Sequence, residues 1–326
     1  MRWKFALLAL TLALGGCAAP ASPTPARPSP SPVPATQTST ETPLPPTPTL
    51  TPSPPTPTLT PAAAPGTCPG AETACILPWR FPFKLPLSPD ANGIIDQTYR
   101  YGATQDGTRE PHHGVDFPNA SGTPVLAAGD GTVVVAANDK LTLYGWVTGF
   151  YGNLVVIQHT LPGVPTAVYT LYGHLSKTTV QVGQNVHTGD KIGEVGSTGI
   201  AIGSHLHLEV RIAADDYKST RNPELWLAPA PGRGVLAGRV VDAQDNPVRT
   251  TLTLQQVVDK RFVPLYPLET YAHETLNGDN LLRENFAAGD QPAGLYRISL
   301  VYDGTLYEQT VQIEPGKLTL VIMRVR

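Results

Sequence analysis

The chain has 326 residues, with 23 Lys and Arg against 26 Asp and Glu, a formal net charge of -3 and a pI near 6.2. That near-balance offers no basic patch and argues against a nucleic-acid partner. With only 3 cysteines and 8 histidines present, each can be weighed individually.

Residues 1–17 begin with Arg2 and Lys4, run apolar from Phe5 to Leu14 and end Leu14-Gly15-Gly16-Cys17. This pattern reads as an export signal whose apolar run is too short to span a bilayer. The ending resembles a bacterial lipobox, and the resemblance implies cleavage before Cys17 and lipidation of its thiol. Gly15 is a less usual occupant of its position, so a plain secretory signal stays open. A multiply acylated cysteine would anchor the chain stably to a membrane, where one acyl chain is marginal.

Residues 18–66 form a low-complexity tether. Of these 49 residues 17 are proline and 16 serine or threonine, with only Arg27 and Glu41 charged, a composition that cannot build a core. As polyproline II, at about 3.1 Å per residue, the tether would reach roughly 150 Å. With Cys17 assigned to lipid, Cys68 and Cys75 remain, and no further ligands lie nearby for a zinc knuckle. They are expected to form a disulfide across a short loop in an oxidising compartment.

The remaining stretch, about 260 residues, suits two domains, expected at 67–230 and 231–326. Glycines punctuate short strands throughout the first, which is expected to be nearly all β. From Ser204 to Ile212 the chain alternates strictly, with His205, His207, Glu209 and Arg211 on one face and Leu206, Leu208, Val210 and Ile212 on the other. This predicts a half-buried strand whose two imidazoles sit roughly 6 to 7 Å apart along it.

The segment His112-His113-Gly114-Val115-Asp116 behaves differently. Residues four apart in an extended chain lie about 13 Å apart, whereas ligands of one zinc each sit about 2 Å from the ion. The chain must therefore turn, and Gly114 is the residue expected to permit it. His112, Asp116 and one histidine of the later pair then make an N,O,N set with a fourth position for water, the mark of a catalytic zinc site.

The set His-x-Gly-x-Asp, Tyr172-Gly173-His174-Leu175-Ser176 and Gly203-Ser204-His205-Leu206-His207-Leu208-Glu209-Val210, together with Gly122 to Val133, resembles the lysostaphin-like zinc metallopeptidases that cut peptide bonds in bacterial peptidoglycan. The likeness runs from about Tyr99 to Trp226 and implies the antiparallel duplicated hybrid motif fold. By this resemblance His112, Asp116 and His207 bind zinc, while His174 and His205 flank the metal's water as acid-base groups. Glu209 has two open readings, orienting a ligand ring or standing as a solvated strand residue. His113 is a bystander, His159 satisfies a hydrogen bond, and His187 and His273 lie on the surface. Tyr99 and Tyr101 are either packing residues or donors to the oxyanion. Residues 182–193 resemble biotinyl and lipoyl carrier sheets, but Lys191 within Gly-Asp-Lys-Ile-Gly is a poor fit to a modified hairpin tip. Lys140 to Gly152 is an apparent insertion relative to the family.

From Val235 onward, alternating runs separated by Asp-Gly and Pro-Gly turns predict a small β-sandwich. Its opening and its Ala293 to Ile298 segment resemble carboxypeptidase regulatory-like, prealbumin-like domains, and wall or protein binding is the expectation for it. The functional expectation is an exported zinc endopeptidase acting on peptidoglycan, lipid-anchored through Cys17 to the outer face of the membrane, or periplasmic or extracellular. The alternative is a non-catalytic wall-binding or cell-division regulator that keeps the fold.

Overall fold

The computed structural model describes Cys68 and residues 73–326, so the signal at 1–17, Cys17 and the tether at 18–66 lie outside the described residues. Among the described residues no α-helix forms, and no helix is long and apolar enough to cross a membrane. As the glycine and alternation patterns require, the chain is nearly all β. The first part contains β1 (Ala74–Leu77), β2 (Val115–Pro118), β3 (Pro124–Leu126), β4 (Gly131–Asn138), β5 (Asn153–His159), β6 (Val168–Leu175), β7 (Lys177–Thr178), β8 (Asn185–Val186), β9 (Lys191–Glu194), β10 (His205–Ile212) and β11 (Thr220–Arg221). The second contains β12 (Arg233–Val241), β13 (Thr251–Val258), β14 (Arg261–Glu269), β15 (Phe286–Pro292), β16 (Gly294–Tyr302), β17 (Thr305–Ile313) and β18 (Leu318–Arg324).

Seven strands make the sheet that carries the histidines, in the order β11-β10-β6-β5-β4-β8, with β2 also paired to β10. All its pairings are antiparallel. One edge of β10 is shared, by β2 along residues 205–208 and by β11 along 210–211. The register sets His207 opposite Asp116 on one side and Gly173 on the other, which brings the two distant motifs together.

The expected half-buried character of β10 needs correcting, because both of its faces are buried. Residues 139–151, in the insertion, fold over the polar face. Tyr151 donates its phenol to Glu209, and Arg211 donates to Tyr144 O at 3.1 Å and to Tyr151 Oη at 3.0 Å. Asp139 fixes this segment by accepting the amides of Tyr151 and Gly152 at 2.7 and 2.9 Å. Polar side chains are tolerated inside because each finds a partner.

The second part, joined by β1 from the first, is a sandwich of two four-stranded sheets, β1-β18-β12-β15 and β14-β13-β16-β17, with Leu236, Leu252, Leu254, Tyr296, Ile298 and Val321 in the core between them. The β12–β18 pairing is parallel. Cys68 is disulfide-bonded to Cys75, and β1, which contains Cys75, pairs with β18 rather than with the histidine sheet. One apolar core runs past residue 230, joining Leu225, Trp226 and Leu227 to Val235, Ala237, Leu318 and Leu320. Full burial of such a side chain contributes roughly 1.5–3 kcal/mol. Within the same seam Arg100 pairs with Glu224, both buried, and Glu224 Oε2 also accepts the Gly289 amide at 2.5 Å.

The loop between β14 and β15 is held by Glu284, which accepts from the Tyr271 phenol at 2.5 Å and from the Asp279 amide at 2.7 Å. Burial pushes the Glu284 carboxyl up to about 8. Between the ordinary glutamate range and about pH 8 the folded chain therefore keeps a proton that the unfolded chain has released, so stability falls as pH rises through that window. Glu284→Gln removes this slope. Its melting temperature relative to wild type should climb across the window, and a gap independent of pH would contradict the assignment.

Candidate functional site

His112 Nε2, His207 Nδ1 and Asp116 Oδ1 converge, at 3.2 Å between the two rings, 3.3 Å from His112 to Asp116 and 2.8 Å from His207 to Asp116. These three ligand atoms all lie within 4.8 Å of one another, a spacing suited to a metal ion. Each ring is oriented from behind. His112 donates Nδ1–H to Tyr99 O at 2.6 Å and stacks on the Tyr99 ring at 4.2 Å. His207 places Nε2 3.1 Å from Glu209 Oε1. A carbonyl and a carboxylate can only accept, so His112 Nε2 and His207 Nδ1 are the nitrogens turned towards Asp116, and each offers it a lone pair when its ring is neutral.

The electrostatics point the same way. Burial favours a neutral Asp116, but His112 and His207 outweigh it and hold the carboxyl well below its usual range. Burial likewise opposes ionisation of Glu209, yet Arg211 foremost, with His207 and Tyr151, keeps it at about 2. His207 lies between these two carboxylates, which overcome its desolvation and raise it to about 9. The two carboxylates thus favour a cation beside Asp116, a proton on His207 or, with both rings neutral, a metal ion held by His112 Nε2, His207 Nδ1 and Asp116. Glu209 is thus a buried orienting partner for His207, which decides between its two sequence readings.

Gly114 is needed for a reason other than turning. The chain bends at His113 and Gly114, but the φ of Gly114 is not positive. A Cβ there would instead meet Leu208 O at 2.4 Å and His207 Cε1 at 2.7 Å, so the glycine lets the first motif lie directly on β10.

His174 and His205 stand beside the three donors, their ring centroids 4.7 Å apart. His174 donates Nδ1–H to Thr198 O at 2.9 Å, and His205 donates Nδ1–H to Gly203 O at 3.2 Å. In the neutral rings Nε2 is therefore the basic atom, and in His205 it lies 3.6 Å from Asp116 Oδ1. Burial first, then His207 and His205, lowers His174 to about 3, and burial also lowers His205. His174 sits at φ 60°, a conformation costly outside glycine and characteristic of functional positions.

These groups line a cleft of about 380 Å³ whose walls include Trp146, Phe150, Ile200, Ile202 and Tyr217. The sequence did not single out these wall residues. Trp146 and Phe150 belong to the insertion, whose length was its only signal. Tyr99 donates its hydroxyl to Glu110 O at 2.6 Å, and Tyr101 donates to Thr220 O or Asn277 O at 3.2 Å, which favours the packing reading of these two residues over that of a donor to the oxyanion. His159 is buried away from the cleft lining, with Nδ1 2.8 Å from Asp130 O and Nε2 2.7 Å from Thr170 Oγ1. His187 and His273 are exposed, as expected.

Removing the Glu209 charge should weaken the donor set without removing a donor. Glu209→Gln is expected to lower zinc affinity about 10–100-fold in a competition titration against a chelator. Unchanged affinity in a folded variant would contradict the orienting role.

Comparison with known proteins agrees with this geometry. Residues 110–221 match the model of peptidase family M23. Over 100 residues the chain is 43% identical to the peptidoglycan DD-endopeptidase ShyA of Vibrio cholerae serotype O1, a match covering 31% of this chain and 20% of that protein. Over 101 residues it is 42% identical to the DD-carboxypeptidase/endopeptidase Mpg of Neisseria meningitidis serogroup B, again 31% of this chain and 20% of the relative. A zinc-containing peptidase from Vibrio cholerae aligns with a TM-score of 0.33 at 33% identity, over 41% of this chain and 37% of that one. The stretch that holds the converging His112, Asp116 and His207 is therefore a peptidase family M23 domain.

Proposed function

We propose that this chain is a zinc-dependent endopeptidase that hydrolyses peptide bonds in peptidoglycan stem peptides or cross-bridges. The observation that carries the reading is the convergence of His112, Asp116 and His207 with two further imidazoles, His174 and His205, at the same cleft. The names of the M23 relatives supply the substrate class.

His112 Nε2, Asp116 Oδ1 and His207 Nδ1 would hold the ion, with Tyr99 O and Glu209 fixing the rings. Bound zinc would supply Lewis acidity towards the scissile carbonyl and a nucleophile at neutral pH. His174 and His205 present Nε2 as the basic atom, suited to accept a proton from the attacking water and return it to the leaving amine. Once protonated, such a ring also stabilises negative charge developing on the carbonyl oxygen. The cleft walls mix apolar with polar and charged side chains and suit a peptide.

Export belongs to the same proposal. The Cys68–Cys75 disulfide suits an oxidising compartment, and the leader pattern with Cys17 would supply the route and a lipid anchor on the outer face of the membrane. The proline-rich tether would let the catalytic domain reach the wall, and the C-terminal sandwich would bind wall or a protein partner.

Purified chain loaded with zinc should release new peptide ends from isolated cell walls, and chelation should abolish the release. His174→Ala should lower the rate about 10²–10⁴-fold while retaining zinc. A zinc-loaded protein that releases no ends from chemically diverse walls would overturn the enzyme reading, and normal cleavage by His174→Ala would remove that residue from the mechanism.

A further inference from the structure

His113 is more than a neighbour of a ligand. It is buried, its ring stacks on Tyr217 with centroids 3.7 Å apart, and both ring nitrogens have partners. His113 Nδ1 donates to Tyr217 O at 3.1 Å, with Thr220 Oγ1 also 3.0 Å away. Nε2 is then an acceptor, and the group facing it at 3.2 Å is the hydroxyl of Thr275, 162 residues further along the chain, which also lies 2.9 Å from His273 Nδ1.

Thr275 belongs to the β14–β15 loop of the sandwich, and its neighbours grip the same short segment. Asn277 donates its side-chain amide to Lys218 O at 2.7 Å and to Thr220 O at 3.2 Å. Arg221 donates to Asn280 Oδ1 at 3.0 Å, and Tyr101 packs edge-on against Tyr271 at 5.1 Å. Tyr217, at the start of the gripped segment, lines the cleft and meets Phe150 edge-on at 6.4 Å. Among the described residues its phenol makes no hydrogen bond, which leaves a polar group free for a bound peptide.

We propose that the C-terminal sandwich completes one wall of the peptidase cleft. Thr275 is a positioning residue that acts through His113 to hold Tyr217, and Tyr217 contacts the substrate peptide. The inference rests on the peptidase reading for its substrate and on this contact chain for its physics. A neutral hydrogen bond lost from such a chain corresponds to about a fivefold effect, expected in KM rather than kcat because Thr275 is remote from the reacting atoms.

The test compares Thr275→Val and Thr275→Ser in the full chain with soluble cross-linked muropeptides as substrate. Thr275→Val should raise KM about fivefold with kcat little changed, and Thr275→Ser should behave as wild type. In a Tyr217→Ala background Thr275→Val should add almost nothing, since the two act as one unit. An unchanged KM, a defect shared equally by Thr275→Ser, or a full additional effect on top of Tyr217→Ala would each overturn the proposal. Amide hydrogen exchange across residues 217–221 decides the physical part without any substrate. It should quicken in Thr275→Val alone, and unaltered exchange would overturn the brace whether or not the chain proves to cut peptidoglycan.

Discussion

Two carboxylates, Asp116 and Glu209, flank the single imidazole of His207, and Glu209 is fully buried. An uncompensated buried carboxylate costs several kcal/mol or takes up a proton, as Glu284 does, so one that stays ionised must be matched by positive charge or by donors. On one side Arg211, itself fully buried, meets Glu209 at 2.7 Å and Asp215 at 2.8 Å. On the other side Asp116 faces His112 and His207, where a bound cation would complete the balance. The row His205, His207, Glu209 and Arg211 on one strand face is thus an electrostatic sequence running from cleft to interior. Its inner end is closed by Tyr151 and the backbone of the 139–151 segment.

Two of the three donors, Asp116 and His207, lie on paired strands, and His112 lies just before β2. His207 is held in register between Asp116 and Gly173, and its ring is fixed by the contact of Nε2 with Glu209. The basic atoms of His174 and His205 are set by backbone carbonyls, which are poor candidates for rearrangement. The sandwich contributes a second layer of constraint. A continuous apolar core and the buried Arg100–Glu224 pair tie it to the histidine sheet, and its β14–β15 loop reaches the cleft wall.

Much of this was legible in the residues. Strict alternation from Ser204 to Ile212 gave β10 and put the two imidazoles on one face, and the spacing of His112 and Asp116 demanded a bend that the chain makes. Other features depend on contacts that local patterns do not encode. Alternation reads as one wet face unless something covers it, and nothing in Lys140 to Gly152 announces that it covers β10. Local pattern alone makes Gly114 a turn residue, because bending is a local property, whereas its close approach to His207 is a tertiary one. The pairing of β1 with β18 and the link from His113 to Thr275 join segments far apart in the chain, and single-sequence periodicity carries no information about such partners.

The central claim is that the buried carboxylate row exists to hold a metal ion on three named atoms. Anomalous diffraction from zinc-loaded crystals, recorded on either side of the zinc absorption edge, tests it most directly. The account predicts one peak per chain bonded to His112 Nε2, Asp116 Oδ1 and His207 Nδ1, with His207 Nε2 still donating to Glu209. A peak ligated instead through His205 or His174, or no peak at the site in fully zinc-equilibrated crystals, would contradict it.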